Sequence, residues 1–464
     1  MPTRLAAILA VAIATNSGVA DQDDSKPSRE WEAEVKQLAQ PLIDAKIVPG
    51  LAIGVYDAGR LETYGLGVID PAAKTKAAPS ADTIYEIGSV TKVFTALLLA
   101  DAAARGELKI DDSLCTLLPK DVECPKRDGQ EITLEHLATH FSGLPRLPDN
   151  MGADSLDNPY ADYTRNKLFA FLGQHRLRRT PGEEHEYSNL GAGLLGTLLA
   201  DKSKSDYGTL LRDRIAKPLD MKDTCVRLSE QQKRRLAPPH RGGVRVSNWE
   251  FDALTGCGGI RSTVTDMLKF VAAHIDPGST PFKEAVTNAS RRRRDVPESP
   301  LGVALGWMIA GDRSTLWHNG QTGGYSAMLL VNPGGKKGVI VLANGADSTV
   351  DALGERIIQA IFGMKVDPPK VRPSVALTEA QLDQLVGEYP SALGFTITVT
   401  RQGDALMAQL TGQQALRIYP ESATRFFYRE VEAEIEFELD AKSKRASALT
   451  LFQHGREMRC ERKP

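Results

Sequence analysis

The chain has 464 residues, enough for two or three domains, and 42% of them are hydrophobic, as in ordinary soluble globular proteins. Its 57 lysines and arginines nearly balance its 59 aspartates and glutamates, so the formal net charge is only -2. Surfaces that bind nucleic acids or other polyanions are strongly basic, so this balance argues against such partners.

The first 20 residues have the order of a secretory signal peptide. Arg4 is followed by an apolar stretch, Leu5–Ala14, and then by small residues that end at Ala20. The apolar stretch is too short to span a bilayer as a mature helix. We therefore expect residues 1–20 to be removed and the mature protein to be secreted or periplasmic, without an integral membrane segment.

After this segment the sequence predicts a helix and then a hairpin. Residues 31–46 have a helical pattern in which Pro41 marks a kink or a break. Residues 50–70 contain two apolar-rich strand patterns joined at Asp57–Arg60, which is typical of a β-hairpin.

Residues 89–275 are mostly helical pattern and loops, and strand patterns return after them. The arginine run 291–294 lies among polar residues and is interpreted as a solvated loop. The later strand patterns are ALGWMIA (304–310), STLWH (314–318), YSAMLLVNP (325–333) and GVIVLAN (338–344), and a helix is predicted from Val350 to Phe362. The simplest packing is an α+β fold, with one antiparallel sheet built from both ends of this region, flanked by helices, and an all-helical subdomain inserted.

The proline-rich stretch 366–376 carries basic residues and predicts a linker. Beyond it, residues 377–464 begin with a helical pattern at 378–389 and continue with short alternating segments. These segments are FTITVTRQ (395–402), ALMAQLTG (405–412), RFFYRE (425–430), AEIEFELD (433–440) and ALTLFQ (448–453). Short strands at regular spacing predict a separate, small β-barrel domain.

The five cysteines set few constraints. Cys115 and Cys124 flank a short loop and could form a disulfide in an oxidising compartment. Cys257 has the surroundings of a small buried residue. No pair has CxxC spacing and no histidines cluster with the cysteines, so we expect no metal site.

Ser89 and Lys92 lie three residues apart where a helix is predicted to begin. Residues at this spacing share one helix face, so the lysine can reach the serine hydroxyl. A serine becomes a nucleophile when a base takes its proton, and a lysine buried beside apolar neighbours can act as that base. Free N–H groups at the helix start also favour an anionic oxygen there. A capping serine beside a solvated lysine would give the same tetrapeptide.

Two further stretches carry polar groups at element boundaries. Tyr187 and Asn189 lie at a loop-to-helix junction, where they could be a second proton carrier and a ligand for a substrate amide, or simply helix caps. In HNGQTGGY (318–325), glycines such as Gly320 allow a ligand backbone to approach a strand closely, although such glycines also mark bulges. His318 could be a hydrogen-bond donor to the substrate.

Together, YEIGSVTK (85–92), YSN (187–189) and HNGQTGG (318–324) resemble the three ordered motifs of the penicillin-recognising serine hydrolases. The nearest branch is that of class C β-lactamases and their esterase and D-aminopeptidase relatives. The segments 132–145 and 256–270 are also similar to that family. The resemblance covers about residues 30–365, which makes 21–365 the expected hydrolase domain, and residues 377–464 resemble the lipocalin-like barrel appended to some relatives.

The resemblance implies a role for each of these positions. Ser89 would form an acyl-enzyme, with Lys92 and Tyr187 passing protons. Asn189 would hold a substrate amide, and the N–H groups of Ser89 and Gln321 would bind the oxyanion beside Gly320. No metal and no cofactor are implied.

The sequence departs from class C β-lactamases at the third motif, where His318 replaces a lysine and Asn319 a threonine. A histidine near its usual pKa of about 6.5 carries only part of a positive charge at neutral pH, so we expect partial recognition of a substrate carboxylate by imidazolium. His140 and His185 are interpreted as structural.

Two functional hypotheses follow. The first is an exported hydrolase acting on β-lactam rings, D-amino-acid amides or small esters, with a small-molecule or peptidoglycan-derived substrate. The second is a slowly acylating penicillin-binding sensor. The natural substrate, the role of the barrel and the oligomeric state stay open.

Overall fold

The computed structural model describes residues 31–152, 158–369, 371–372, 374–375, 377–403, 405–413, 415–429, 431–453 and 455–463. The predicted signal peptide lies outside the described residues. The chain divides into two compact units. The first takes the described residues up to 43 and those from 48 to 369, and the second takes residues 44–47 and the described residues from 371 onwards.

The helices are as follows, in chain order: α1 Glu32–Asp44, α2 Thr91–Ala104, α3 Leu134–Thr139, α4 Arg165–Gln174, α5 Asn189–Lys202, α6 Tyr207–Leu211, α7 Glu230–Lys233, α8 Thr255–Gly258, α9 Val264–Ile275, α10 Lys283–Ser290, α11 Thr349–Ile361 and α12 Glu379–Asp383.

The strands of the first unit are β1 Gly50–Asp57, β2 Arg60–Gly67, β3 Tyr85–Glu86, β4 Lys126–Arg127, β5 Gln130–Glu131, β6 His240–Arg241, β7 Val244–Arg245, β8 Arg261–Ser262, β9 Arg294–Asp295, β10 Gly302–Val303, β11 Met308–Ile309, β12 Leu316–Gln321, β13 Ser326–Asn332 and β14 Lys337–Ala343.

The main sheet has the strand order β2-β1-β14-β13-β12-β11-β10-β9. Its pairings are antiparallel, and β1 pairs with β14, so the two ends of the region meet in the middle of one sheet. The hairpin predicted at Asp57–Arg60 is present, with these two residues opposite each other. The predicted α+β fold, with helices inserted between the two sets of strands, is confirmed.

Helices cover both faces of the sheet. Against one face, Gly54 of β1 and Ile340 of β14 pack beneath Leu268 of α9. Against the other face, Gly354 of α11 lies on Met328 of β13. This two-sided cover explains why β13 is buried at every position and shows no alternation of polar and apolar residues.

The arginine run 291–294, predicted to be a solvated loop, is only partly one: Arg291 is exposed, but the residues after it are not. The side chain of Arg293 is only 8% exposed and pairs with Glu135 at 3.2 Å, and Arg294 lies in the edge strand β9. The sequence around the run is polar, but tertiary packing places a carboxylate opposite the buried guanidinium.

Cys115 and Cys124 form a disulfide, as the sequence allowed. Cys257 is buried in α8, as expected, while Cys225 and Cys460 are free thiols.

The second unit is a nearly closed barrel. Its strands, which pair in consecutive order, are β15 Gly387–Pro390, β16 Thr396–Gln402, β17 Ala405–Leu410, β18 Leu416–Pro420, β19 Arg425–Tyr428, β20 Ala433–Leu439, β21 Ala446–Gln453 and β22 Arg456–Glu461. An antiparallel bridge between Ser391 and Cys460 links the first strand's end to the last strand. The helix predicted over 378–389 is shorter, because its last residues instead form β15, whose Tyr389 is fully buried in the barrel core.

Candidate active site

Ser89 lies in a tight 3-10 turn, Gly88–Val90, directly before α2. Gly88 has a φ of +50°, a conformation that favours glycine, and an added Cβ there would lie 2.6 Å from the backbone nitrogen of Gln321. The turn is therefore pressed against the end of β12. The helix predicted to start at Ser89 starts two residues later, so the serine stands on the turn that leads into it.

Lys92 is 2% exposed, and its Nζ is surrounded by oxygens. It donates hydrogen bonds to Ser89 Oγ at 2.9 Å, to Asn189 Oδ1 at 2.8 Å and to the carbonyl of Cys257 at 2.8 Å. The contact with Asn189 joins two of the predicted motifs across 97 positions of the sequence. Ser89, Lys92 and Asn189 thus form one hydrogen-bonded cluster.

The carbonyl of Cys257 reaches Lys92 because α8 is held close to α2 and α5. Thr95 Oγ1 donates to the carbonyl of Gly256 at 2.7 Å, and the N–H of Ile260 donates to Thr91 Oγ1 at 3.1 Å. On the other side, an added Cβ at Gly196 of α5 would come within 2.8 Å of the Gly256 Cα. The small residues of α5 therefore permit the close helix approach that positions this carbonyl.

The second motif is fixed by Ser188, which caps α5. Its Oγ accepts the Gly191 N–H at 2.8 Å and donates to the carbonyl of Pro145 at 2.7 Å. Because Ser188 is the cap, Tyr187 and Asn189 are left for other contacts. Asn189 accepts from Lys92 through Oδ1 and donates from Nδ2 to the hydroxyl of Tyr160 at 2.8 Å.

Tyr187 is half-buried beside Lys92, whose Nζ lies 4.8 Å from the centre of the tyrosine ring. The ring of His140 lies 4.4 Å from that of Tyr187, centre to centre. His140 Nδ1 also accepts the N–H of Ser188 at 3.1 Å, which requires an unprotonated nitrogen. Burial, together with the charge of Lys92, lowers the pKa of His140 well below its usual value, in agreement with this role.

The third motif lies on β12 and brings its backbone against the Ser89 turn. An added Cβ at Gly320 would lie 2.0 Å from the carbonyl oxygen of Ile87 and 3.1 Å from the nitrogen of Ser89. The Gln321 nitrogen is the closest atom to a Cβ built on Gly88. The backbone nitrogens of Ser89 and Gln321 therefore lie where the Ser89 turn and β12 touch. Each segment needs a glycine at this contact, Gly88 on the turn and Gly320 on the strand.

The expectation that His318 is partly charged at neutral pH is wrong. The side chain is 2% exposed, and its Nδ1 donates to the carbonyl of Asn319 at 2.5 Å. Burial, together with the charge of Lys92, lowers the pKa of His318 to about 3. His318 is therefore neutral at pH 7, because its imidazole has lost its hydration and faces an ammonium group rather than a carboxylate.

The neighbouring residue of β12, Asn319, is engaged by a carboxyl group of α11. Its Nδ2 donates to Asp351 Oδ2 at 2.7 Å. Burial raises the pKa of Asp351 to about 7, and burial also raises that of Glu355, one turn further along α11, to about 7. Where class C β-lactamases carry a lysine and a threonine, this chain therefore has a neutral imidazole and an amide bound to an acidic side chain.

Sequence reasoning missed two members of this cluster. The contribution of Cys257 is a backbone carbonyl, which leaves no signal in residue type, although the small residues around it were visible. Tyr160 lies 29 positions before Asn189 in a loop segment with no motif. The described residues contain no group of three or more His, Cys, Asp or Glu side chains that could hold a metal ion. None of the described helices is long and apolar enough to cross a membrane.

A serine on a turn, a buried lysine one turn away and a glycine-rich strand against them define a serine hydrolase of the penicillin-recognising class. Residues 35–362 match the family described as Beta-lactamase, which is well over half of the chain. The chain belongs to this family. Residues 371–462 match a family described as Domain of unknown function (DUF3471).

The chain is similar to curated proteins at modest identity. It is 29% identical to the D-alanyl-D-alanine-carboxypeptidase/endopeptidase AmpH of Escherichia coli K12, over 65% of this chain and 80% of AmpH. It is 26% identical to a β-lactamase of the same strain, over 67% of this chain and 88% of that enzyme. The protein flp of Staphylococcus aureus MW2 is 28% identical, over 68% of this chain and 64% of flp.

A solved structure shares the fold. It is a β-lactamase/D-alanine carboxypeptidase from Yersinia pestis, complexed with citrate, with a TM-score of 0.63 and 23% sequence identity. The match covers 72% of this chain and 99% of that protein.

Proposed function

We propose that the protein is an exported serine hydrolase of the class C β-lactamase type that cleaves β-lactam or D-alanyl amide bonds through an acyl-enzyme on Ser89. The observation that carries the proposal is the bond from Lys92 Nζ to Ser89 Oγ inside a buried, oxygen-lined site. The relatives named as a carboxypeptidase/endopeptidase and as a β-lactamase support the two bond types.

The surroundings of Lys92 suit a general base. The carbonyl of Cys257 and Oδ1 of Asn189 can only accept hydrogen bonds. In the structure Lys92 donates to all three oxygens, as an ammonium does. Once it has given up one proton it would have two N–H donors and one lone pair, and donation to the Cys257 and Asn189 oxygens would direct the lone pair at Ser89 Oγ. Lys92 would then take the proton as Ser89 attacks the substrate carbonyl, and the resulting ammonium would donate to all three oxygens.

The remaining groups complete the reaction. The N–H groups of Ser89 and Gln321 would hold the oxyanion of the tetrahedral intermediate. Stabilisation of this negative charge is usually the largest single contribution to the rate enhancement in such enzymes. Tyr187, beside Lys92, would pass the proton to the leaving nitrogen and later activate water for deacylation. Asn189, with a second Nδ2 proton beyond the one given to Tyr160, would hold the amide on the acyl side of the substrate.

Export is supported by the disulfide between Cys115 and Cys124, because disulfides persist mainly in oxidising compartments. The order of residues 1–20 supports the same proposal.

A second candidate is an esterase or D-aminopeptidase of the same family, and the neutral His318 favours it. Without a fixed cation at this position, the site lacks the group that attracts the carboxylate of a β-lactam or of a D-alanine terminus in class C relatives. A third candidate is a sensor that keeps the acyl-enzyme.

A single set of rate measurements separates these candidates. The wild type is mixed with nitrocefin, a D-Ala-D-Ala peptide, a D-Ala anilide and a p-nitrophenyl ester, and both burst and steady-state rates are recorded. We expect turnover of nitrocefin or the peptide to continue after the burst. One equivalent followed by a stop would indicate a sensor, and turnover of the ester or the anilide alone would indicate the second candidate.

The control for this experiment is Ser89→Ala. We expect this variant to keep its fold and to lose labelling by a fluorescent penicillin and by a fluorophosphonate. Labelling that persists would show that Ser89 is not the nucleophile.

A further inference from the structure

Arg146 lies beside the candidate site, on backbone that is hydrogen-bonded to the start of α5. Its carbonyl accepts the N–H groups of Asn189 at 3.0 Å and of Leu190 at 3.2 Å. The carbonyl before it, of Pro145, accepts from Ser188 Oγ at 2.7 Å. The segment that carries Arg146 is thus fastened by three hydrogen bonds to the start of α5, the same place that positions Tyr187 and Asn189.

The guanidinium of Arg146 lies over the ring of Tyr187. Its Cζ lies 5.2 Å from the centre of the Tyr187 ring, and Lys92 Nζ lies 4.8 Å from the same centre. Tyr187 therefore contacts both cations. The side chain of Arg146 is nonetheless exposed, so its donors are available to a molecule in solution.

No carboxylate neutralises Arg146 within the part of the chain that the structure describes. Other arginines around the site do hold acidic partners: Arg179 pairs with Glu184 at 2.9 Å, and Arg261 pairs with Glu250 at 2.8 Å. His318, whose ring centre lies 6.2 Å from that of Tyr187, is buried and neutral. Among the described residues beside the catalytic cluster, Arg146 therefore offers an accessible cation, and the planar donors of its guanidinium match a carboxylate.

We propose that Arg146 binds a carboxylate carried on the acyl side of the substrate, and that the hydrolase therefore prefers anionic acyl groups. The acyl side is indicated because the Arg146 backbone is bonded to Asn189, to which the proposed function gives the acyl amide. The inference rests on that proposed function.

Two matched substrate pairs test it. Carbenicillin is benzylpenicillin with one more carboxylate on its acyl side chain, and p-nitrophenyl hydrogen succinate carries a carboxylate where p-nitrophenyl butyrate carries its terminal methyl group. The acylation rate constants at low concentration are measured for both pairs, with the wild type, Arg146→Gln and Lys109→Gln. Lys109 is also exposed and lies beyond the far end of α2, about 20 Å along the helix from Ser89.

We expect Arg146→Gln to lower the rate of the member with the acyl-side carboxylate, relative to the member without it, by about threefold to tenfold in at least one pair, as for an exposed ion pair. Lys109→Gln should leave the ratio unchanged, and 0.5 M salt should reduce the difference between wild type and Arg146→Gln. If the wild type is acylated and Arg146→Gln keeps the wild-type ratio in both pairs, the role of Arg146 is wrong while the proposed function stands. If the wild type is acylated by none of the four compounds, the proposed function is wrong and this inference falls with it.

Discussion

Replacing Gly320 with alanine tests the contact between β12 and the Ser89 turn. The added Cβ would stand 2.0 Å from the carbonyl oxygen of Ile87, whereas carbon and oxygen atoms normally approach to about 3.3 Å. All the nearest atoms belong to backbone, so no flexible side chain can move aside. The two segments must therefore separate by about 1 Å.

A separation of this size removes a working oxyanion site. Donors act at about 2.7–3.1 Å from the developing negative charge, and a misplacement of about 1 Å costs about a hundredfold in rate. We therefore expect Gly320→Ala to slow acylation of Ser89 by about 10²-fold or more. The same crowding should lower the free energy of unfolding by about 1–3 kcal/mol.

The assay measures the rate at which a fluorescent penicillin labels the protein. Thermal unfolding is measured alongside it, to show that the variant is folded at the temperature of the assay. Gly334→Ala is the matched control, because the nearest atom to its added Cβ is 3.8 Å away, in ordinary contact. A Gly320→Ala variant that labels within about threefold of the wild type, with an unchanged unfolding temperature, would refute the inferred geometry.

Three further predictions concern charge. Lys92→Arg should lose nearly all acylation, because arginine keeps its proton at working pH; near-wild-type labelling would leave Tyr187 as the base. Since the pKa of His318 is about 3, cephalosporin and ester rates should change in parallel between pH 5.5 and 8, and a fall confined to the cephalosporin as pH rises would contradict its neutral state. The raised pKa of Asp351 means that its buried carboxyl group contributes stability that is fully present below its usual pKa of 3.8 and is lost progressively until the pH has risen through about 7. The free energy of unfolding in urea is therefore compared between Asp351→Asn and the wild type at two pH values. We expect the variant to gain relative to the wild type between pH 6 and pH 9. An equal difference at both pH values would contradict the raised pKa of Asp351.

The sequence by itself determined the main architecture. Apolar strand patterns at both ends of the first region, with helical patterns between them, left one antiparallel sheet as the simplest way to bury them, and β1 does pair with β14. The family followed from three motifs whose order and residue types were all visible. The spacing of Ser89 and Lys92 was also informative, because a three-residue separation on a helical turn fixes their distance locally.

Tertiary structure decided the properties that depend on surroundings. The charge state of His318 could not be predicted, because it depends on burial and on Lys92, which is far away in sequence. The same holds for Arg293. Its polar sequence context predicted a solvated side chain, but in the folded chain the side chain packs against Glu135. The carbonyl of Cys257 gives no signal in residue type at all. Local patterns report which backbone a segment prefers, whereas desolvation and neighbouring charges act through space and set the chemistry of each side chain.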